Sequence, residues 1–186
     1  MDDAQKMFCR KTDGISDATT PAVTQITVAP GDTYKATHKS ILKIRQVTRA
    51  DTGRDVEVLN YEDLNTRDWR FDGTSGPVKA FVVGEENNKA RVYPVPNESL
   101  VLNLLVFRLP LKGIVDDGTQ LELSDEHHPH LLHWMKRRAY LKQDSETFDK
   151  NKAVEFESYF NAYCATTQEE ERRKRHKKRT VVYGGI

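Results

Sequence analysis

SDEHHPHLLHWMKRRAYLK (residues 124–142) and DKNKAVEFESYFNAYCATTQEEERRKRHKKR (residues 149–179) read as two helices and a basic tail, the most regular part of the chain. In the first helix, roughly residues 128–142, Leu132, Met135 and Ala139 fall at i, i+3 and i+7, and Leu131 and Trp134 widen the apolar stripe. Pro129 suits a first helical turn, where its missing N–H has no partner to lose. Ser124 and His128 are both candidate caps, and the residues do not choose between them. The chain breaks at Gln143-Asp144-Ser145, because Asp and Ser favour caps and turns over helix interior. From about Asp149, the residues Ala153, Phe156, Phe160, Tyr163 and Thr167 repeat in steps of three and four, one narrow apolar seam. Carried through Glu169-Glu170-Glu171 into Arg172, this helix reaches about 27 residues, or about 40 Å at a rise of about 1.5 Å per residue. A helix that long in a chain of 186 residues points to a structural rod rather than part of a catalytic scaffold.

Composition agrees with a protein that assembles. Hydrophobic residues make up 37% and charged residues 31%, polar for a globular monomer and suited to association through polar surfaces. No apolar run is long enough for a membrane span. The acidic start, Met1-Asp2-Asp3-Ala4-Gln5, lacks the apolar core of a signal peptide. Cys9 and Cys164 lie far apart and read as two reduced thiols of a cytoplasmic product, with nothing to support a disulfide. The net charge of +1 is unevenly placed. Residues 172–179 carry seven Lys/Arg and residues 169–171 three acids, which leaves residues 1–168 at −3.

Residues 2–11 form a short helix with Ala4, Met7 and Phe8 on one side, too short to stand without packing. Residues 12–21 are turn and loop chemistry. Strands follow at residues 23–28, 41–48 and 55–59, the last two flanking the hairpin turn Asp51-Thr52-Gly53. A capped short helix runs from Asn60 to near Trp69. Further strands are expected at residues 78–83, 90–93 and 100–107. The order is helix, six or seven strands with one short helix, then two helices. The expected class is therefore α+β: a helical bundle, made of the N-terminal helix and two long C-terminal helices, with an inserted antiparallel β-sandwich or barrel and an extended C-terminal tail. The corresponding boundaries are residues 1–20 and 120–175 for the bundle, 21–119 for the β insert and 176–186 for the tail.

The chemistry-bearing residues argue against an enzyme. His127, His128, His130 and His133 crowd one helix start beside Asp125 and Glu126, but the HExxH spacing of a zinc protease is absent. They read as solvent-facing and capping histidines. The carboxylates Asp116, Asp117, Glu122, Asp125 and Glu126 sit where loops and first helical turns favour acids. No phosphate-binding glycine loop and no nucleophile elbow occurs, and nothing calls for a cofactor or metal. The basic run is the one strong electrostatic signal. It suits phosphates, an acidic protein, or the negative end of a helix dipole, and it lacks the aromatic residues that stack on bases. Beyond it, Thr180-Val181-Val182-Tyr183 is a short β-prone run able to add to another chain's sheet edge.

Several segments, in order, resemble bacteriophage head-to-tail adaptor proteins. Asp3-Ala4-Gln5 with Phe8-Cys9 is similar to the first helix of that family. Trp69-x-x-Asp72-Gly73, Gly76-Pro77 and Val92-Tyr93-Pro94-Val95-Pro96 resemble its β insert. Arg108-Leu109-Pro110, Leu121-Glu122-Leu123 and Leu131-Leu132-x-Trp134-Met135-x-x-Arg138-Ala139-Tyr140 resemble its closing helices, and Thr147-Phe148 with Ala153, Phe156 and Phe160 continues the likeness. The segments resemble those of the tail tubular protein A-like adaptors of short-tailed phages. Related connectors occur in long-tailed phages, so the tail type stays open.

The resemblance implies a structural virion protein at the head–tail interface, assembled from the host cytoplasm. It implies a homo-oligomeric ring, commonly of twelve copies, bound beneath the portal protein. Such a ring completes the head, carries the tail nozzle or other tail and neck proteins, and lets genomic DNA pass its lumen without sequence-specific contact. Helices pack side by side around the ring, which points to Leu132, Met135, Ala139, Phe156, Phe160 and Tyr163. The C-terminal segment reaches the portal, which points to Arg172, Arg173, Lys174, Arg175, Lys177, Lys178, Arg179, Val181, Val182, Tyr183 and Ile186. Rival readings are another neck ring protein (stopper or tail terminator), a DNA-binding protein using the basic run, and a lytic hydrolase using Glu122, Asp125 and Glu126.

Overall fold

The computed structural model describes residues 1–66, 74–114, 118–143 and 146–175. The chain divides into two compact units, Asp13–Leu111 and Met1–Thr12 with Lys112–Ile186.

The first unit is built on one eight-stranded sheet. Its strands are β1 (Ile15–Asp17), β2 (Gln25–Val28), β3 (Tyr34–Ala36), β4 (Ile41–Arg49), β5 (Asp55–Asn60), β7 (Ala80–Val83), β8 (Lys89–Tyr93) and β10 (Leu100–Arg108). Two short strands, β6 (Ser75–Gly76) and β9 (Val95–Pro96), pair separately in parallel. The order across the sheet is β1-β10-β4-β5-β7-β8-β3, and β2 shares with β1 the far edge of β10. Between β1 and β2 lies a single helical turn, α2 (Pro21–Thr24). The Thr20 carbonyl accepts both the Val23 and Thr24 amides at 2.9 Å, so the β-branched run at residues 23–28 is strand only from Gln25 onward.

The core explains the curvature. Leu100, Leu102, Leu104 and Val106 alternate inward along β10, and they share one apolar cluster with Val28, Val47, Val56, Phe81, Ala90 and Val92. Strands from both halves of the sheet contribute to that one cluster, so the sheet curls around its own core rather than facing a second sheet. Each fully buried Leu or Val side chain is worth about 1.5–3 kcal/mol against exposure.

Strand β4 breaks the alternation. Its inward residues are Ile41, Ile44 and Val47, spaced by three rather than two. The register against β10 accounts for this. Gln46 opposes Leu105 and Ile44 opposes Val106, leaving Arg45 extra; Lys43 opposes Phe107 and Ile41 opposes Arg108, leaving Leu42 extra. Each bulge returns an isoleucine to the core face and bends the strand. β4 accordingly pairs with β5 only at Val47–Val56 and Thr48–Asp55, and β5 continues in parallel along β7.

The second unit holds three helices. They are α1 (Asp2–Lys11), α3 (His128–Tyr140) and α4 (Lys150–Arg175), with a 3-10 turn at Asp125–His127 leading into α3. Asp149 caps α4, its carboxylate accepting the Asn151 and Lys152 amides at 2.9 and 3.1 Å. The seam Ala153, Phe160, Thr167 is buried, with Cys164 beside it.

This architecture corrects the expected class. The protein is mixed α/β, with a curled sheet, a short helix and one long C-terminal helix. It is not a helical bundle with two long C-terminal helices and an inserted antiparallel sandwich or barrel. α3 spans 13 residues against 26 for α4. The sheet is not wholly antiparallel, because β5 and β7 run parallel. Periodicity marks a helix face or a strand face but carries no information on strand direction or partner, and here a connection of residues 61–79 brings β7 back alongside β5.

Candidate functional site

Helix α4 uses its seam within its own unit. Phe160 is fully buried and lies against the Trp134 ring, centroids 5.2 Å apart. Phe156 stacks on Tyr140 at 5.7 Å and lies 6.0 Å from His133. Tyr163 stacks on His130 at 3.5 Å, and its hydroxyl pairs with His127 Nδ1 at 2.9 Å. Phe8 of α1 closes the cluster, 4.7 Å from the His127 ring. The Trp134 indole N–H donates to Asp3 at 2.8 Å, and Arg137 pairs with Glu157 at 2.9 Å, tying α3 to both neighbours.

Burial decides the histidine chemistry. It lowers the pKa of His127, against the opposing pull of Glu126 and Glu171. It lowers His133 as well, helped by His130 and Lys136. Burial therefore disfavours the charged form of both rings, because a proton gained there is poorly solvated. Cys9 and Cys164 are both buried and form no disulfide, and burial pushes the Cys164 thiol up to about 11.

The stripe assigned to α3 from spacing is turned differently. Leu131 and Trp134 face the interior, Met135 is half-buried, and Leu132 and Ala139 are exposed. Trp134 sets this rotation through its bond to Asp3 and its contact with Phe160. Leu132 stays 44% exposed, and on α4 Val154 is 67% and Tyr159 50% exposed. Tyr159 rests against the His133 and Phe156 rings and donates to Glu155 at 2.8 Å, whereas Leu132 and Val154 lie outside the seam and present apolar surface.

The basic run is largely compensated where it is described. Arg173 pairs with Glu169 at 3.3 Å, Lys174 with Glu171 at 2.7 Å, and Arg175 with Glu171 at 3.5 Å. The lysine bond and neighbouring cations hold Glu171 below the usual carboxylate range, with burial opposing them. Arg172 is exposed. Lys177, Lys178, Arg179, Val181, Val182, Tyr183 and Ile186 lie outside the described residues, as does the expected tail at residues 176–186. Of the carboxylates weighed for hydrolysis, Glu122 accepts the Lys112 amide at 2.8 Å, while Asp125 and Glu126 stand in solvent. Asp116 and Asp117 lie outside the described residues.

In the sheet unit, β4 and β5 diverge to open a cleft of about 570 Å³ lined by Ile41, Ile44, Val58 and Val83 among others. Motif reading passed over this cleft. Its signal was the three-residue spacing of Ile41, Ile44 and Val47, which fits neither a helix nor a regular strand. Among the described residues, no group of His, Cys, Asp or Glu is placed to hold a metal, and no helix is long and apolar enough to cross a membrane.

No curated protein matches the chain. The family model described as SU10 adaptor protein matches residues 1–181, which bears out the resemblance to phage head-to-tail adaptors. This chain belongs to the SU10 adaptor protein family, a structural family of bacteriophage adaptors.

Proposed function

We propose that the protein assembles as a ring beneath the portal, completing the head and carrying the tail. The observation that supports this most directly is the division of labour on its helices. The aromatic seam of α4 is consumed inside the protomer, while Leu132, Val154 and the exposed half of Tyr159 are left for neighbours. The 26 residues of α4 make a stave of about 39 Å at about 1.5 Å per residue. Staves packing side by side would bury those side chains, as the hydrophobic effect favours.

In this reading the ring has twelve copies, the portal above it and tail or neck proteins below. Residues 172–186 form the portal contact, ordered on assembly. The genome passes the lumen on packaging and ejection without base-specific contact. The cis pairing of Arg173, Lys174 and Arg175 with Glu169 and Glu171 weighs against a duplex-binding role for this part of the run.

The test mixes the protein with the portal encoded beside it and examines the product by negative-stain microscopy. A ring stacked on the portal, lost on deletion of residues 172–186, is the expected result. No association with the portal, together with duplex binding that falls steeply with salt, would overturn it.

A further inference from the structure

We propose that the cleft between β4 and β5 receives an extended, acidic segment of another protein by strand addition. The two walls are strand edges. Residues 41–46 of β4 are in register with β10 alone, and residues 57–60 of β5 with β7 alone. Both strands therefore turn main-chain donors and acceptors toward the gap, where, among the described residues, no strand fills it. Buried or half-buried main-chain groups favour a partner over water, and an extended peptide supplies one at every second residue.

The bulges at Leu42 and Arg45 build the gap. They bend β4 away from β5 just where the pairing of Val47 with Val56 ends. The opening uncovers one margin of the sheet core, so Ile41, Ile44, Val58 and Val83 are only partly buried and form an apolar floor. An inserted strand would lay alternate side chains on that floor and point the others outward.

Charge identifies the occupant. The lining carries Lys43, Arg45 and Lys89 against one acid, Glu86. Lys89 is paired with Glu86 at 2.5 Å. Lys43 and Arg45 are exposed and have no carboxylate partner among the described residues; Arg45 instead lies 5.2 Å from the Phe107 ring centroid. Two uncompensated cations on the rim favour a strand whose outward side chains are Asp or Glu. They disfavour the chain's own residues 172–183, which are basic or uncharged. The inference stands apart from ring assembly and does not require it.

The experiment uses the full chain and a fluorescein-labelled acidic β-strand hexapeptide of sequence DVTVEV. Binding is followed by fluorescence anisotropy, and native-state hydrogen exchange locates it. The expected result is at least tenfold slower exchange within residues 41–46 and 57–60. Affinity should fall at least tenfold for the lysine counterpart KVTVKV and for DVTVEV with alternate amides N-methylated. The double variant Lys43→Glu, Arg45→Glu alters only exposed side chains and should reverse the charge preference with an unchanged circular dichroism spectrum. The proposal is overturned by the absence of DVTVEV binding, by protection elsewhere, by equal binding of the N-methylated peptide, or by an unreversed preference in the variant. It is also overturned if residues 41–46 of the free protein are protected by self-association, or by residues 176–186 as shown by their deletion.

Discussion

Asp17 and Arg108, 91 positions apart in the chain, form a buried ion pair in which Arg108 Nε donates to Asp17 Oδ2 at 2.5 Å. Burial alone would raise the pKa of the Asp17 carboxyl. The Arg108 guanidinium and the amides of Thr19 and Thr20 outweigh it and hold the group far below the usual carboxylate range. The pair fastens the short β1 strand to the end of β10, where Ile15 opposes Arg108.

Replacing Asp17 with Ala removes the carboxylate that Arg108 Nε binds and leaves a buried guanidinium less well compensated. Such breaks cost about 3–5 kcal/mol, because the remaining charge stays desolvated. Urea denaturation of the Asp17→Ala variant should show a loss of that size. The double variant Asp17→Ala, Arg108→Met should recover a large part of it. Because the folded pKa is depressed, this contribution is complete above the unfolded value of about 3.9 and is lost as pH falls below it.

Gly14 lies at φ +84°, and a Cβ there would stand 2.7 Å from the Arg108 carbonyl oxygen and 2.9 Å from Leu42 Cδ1. Both the left-handed backbone and the close carbonyl exclude a side chain. Gly14→Ala should therefore destabilise by about 1–3 kcal/mol. Gly53, at φ +66° with open space around it, is the control. Gly53→Ala carries backbone strain alone, so a thermal melt in which Gly14→Ala is no worse would contradict the contact argument.

Acid should loosen the helical unit before the carboxylates titrate. His127 and His133 both have folded pKa values below the ordinary 6.5, set first by burial. The unfolded chain then binds more protons, so stability is complete above about pH 6.5 and declines as pH falls. A urea midpoint measured from pH 7.5 to 5 should drop, and His127→Gln should flatten part of the slope. A profile that stays level through this range would show that the rings are not held neutral.

Val154 separates folding from assembly. At 67% exposure it contributes little to the protomer, so Val154→Glu should change stability by less than about 0.5 kcal/mol. If α4 is a ring stave, the same variant should lose the ring on the portal. Phe160→Ala is the contrasting case, with a core loss of about 3–5 kcal/mol. Retention of full ring yield by Val154→Glu would remove this face from the subunit contact.

What was legible along the chain is what depends on near neighbours. The Ala153-Phe156-Phe160-Tyr163-Thr167 seam, the short helix at residues 2–11, the hairpin turn at Asp51-Thr52-Gly53 and the apolar strand β10 are set by spacing and turn chemistry within a few residues. The candidate stave and the uneven charge could be read the same way. The family resemblance rested on the order of such local segments.

The rest required the fold. Whether Leu132 or Trp134 faces inward is decided by Asp3 and Phe160, which lie on other helices. The Glu169 and Glu171 pairing was available at helical spacing, yet its effect on the basic run depends on which side chains meet. The Asp17–Arg108 pair, the parallel β5–β7 register and the cleft opened by the bulges at Leu42 and Arg45 join residues distant in sequence. Periodicity fixes which face of an element is apolar, because backbone geometry repeats locally. Which elements meet, in which direction and with which edge left open, is settled by burying those faces together in three dimensions.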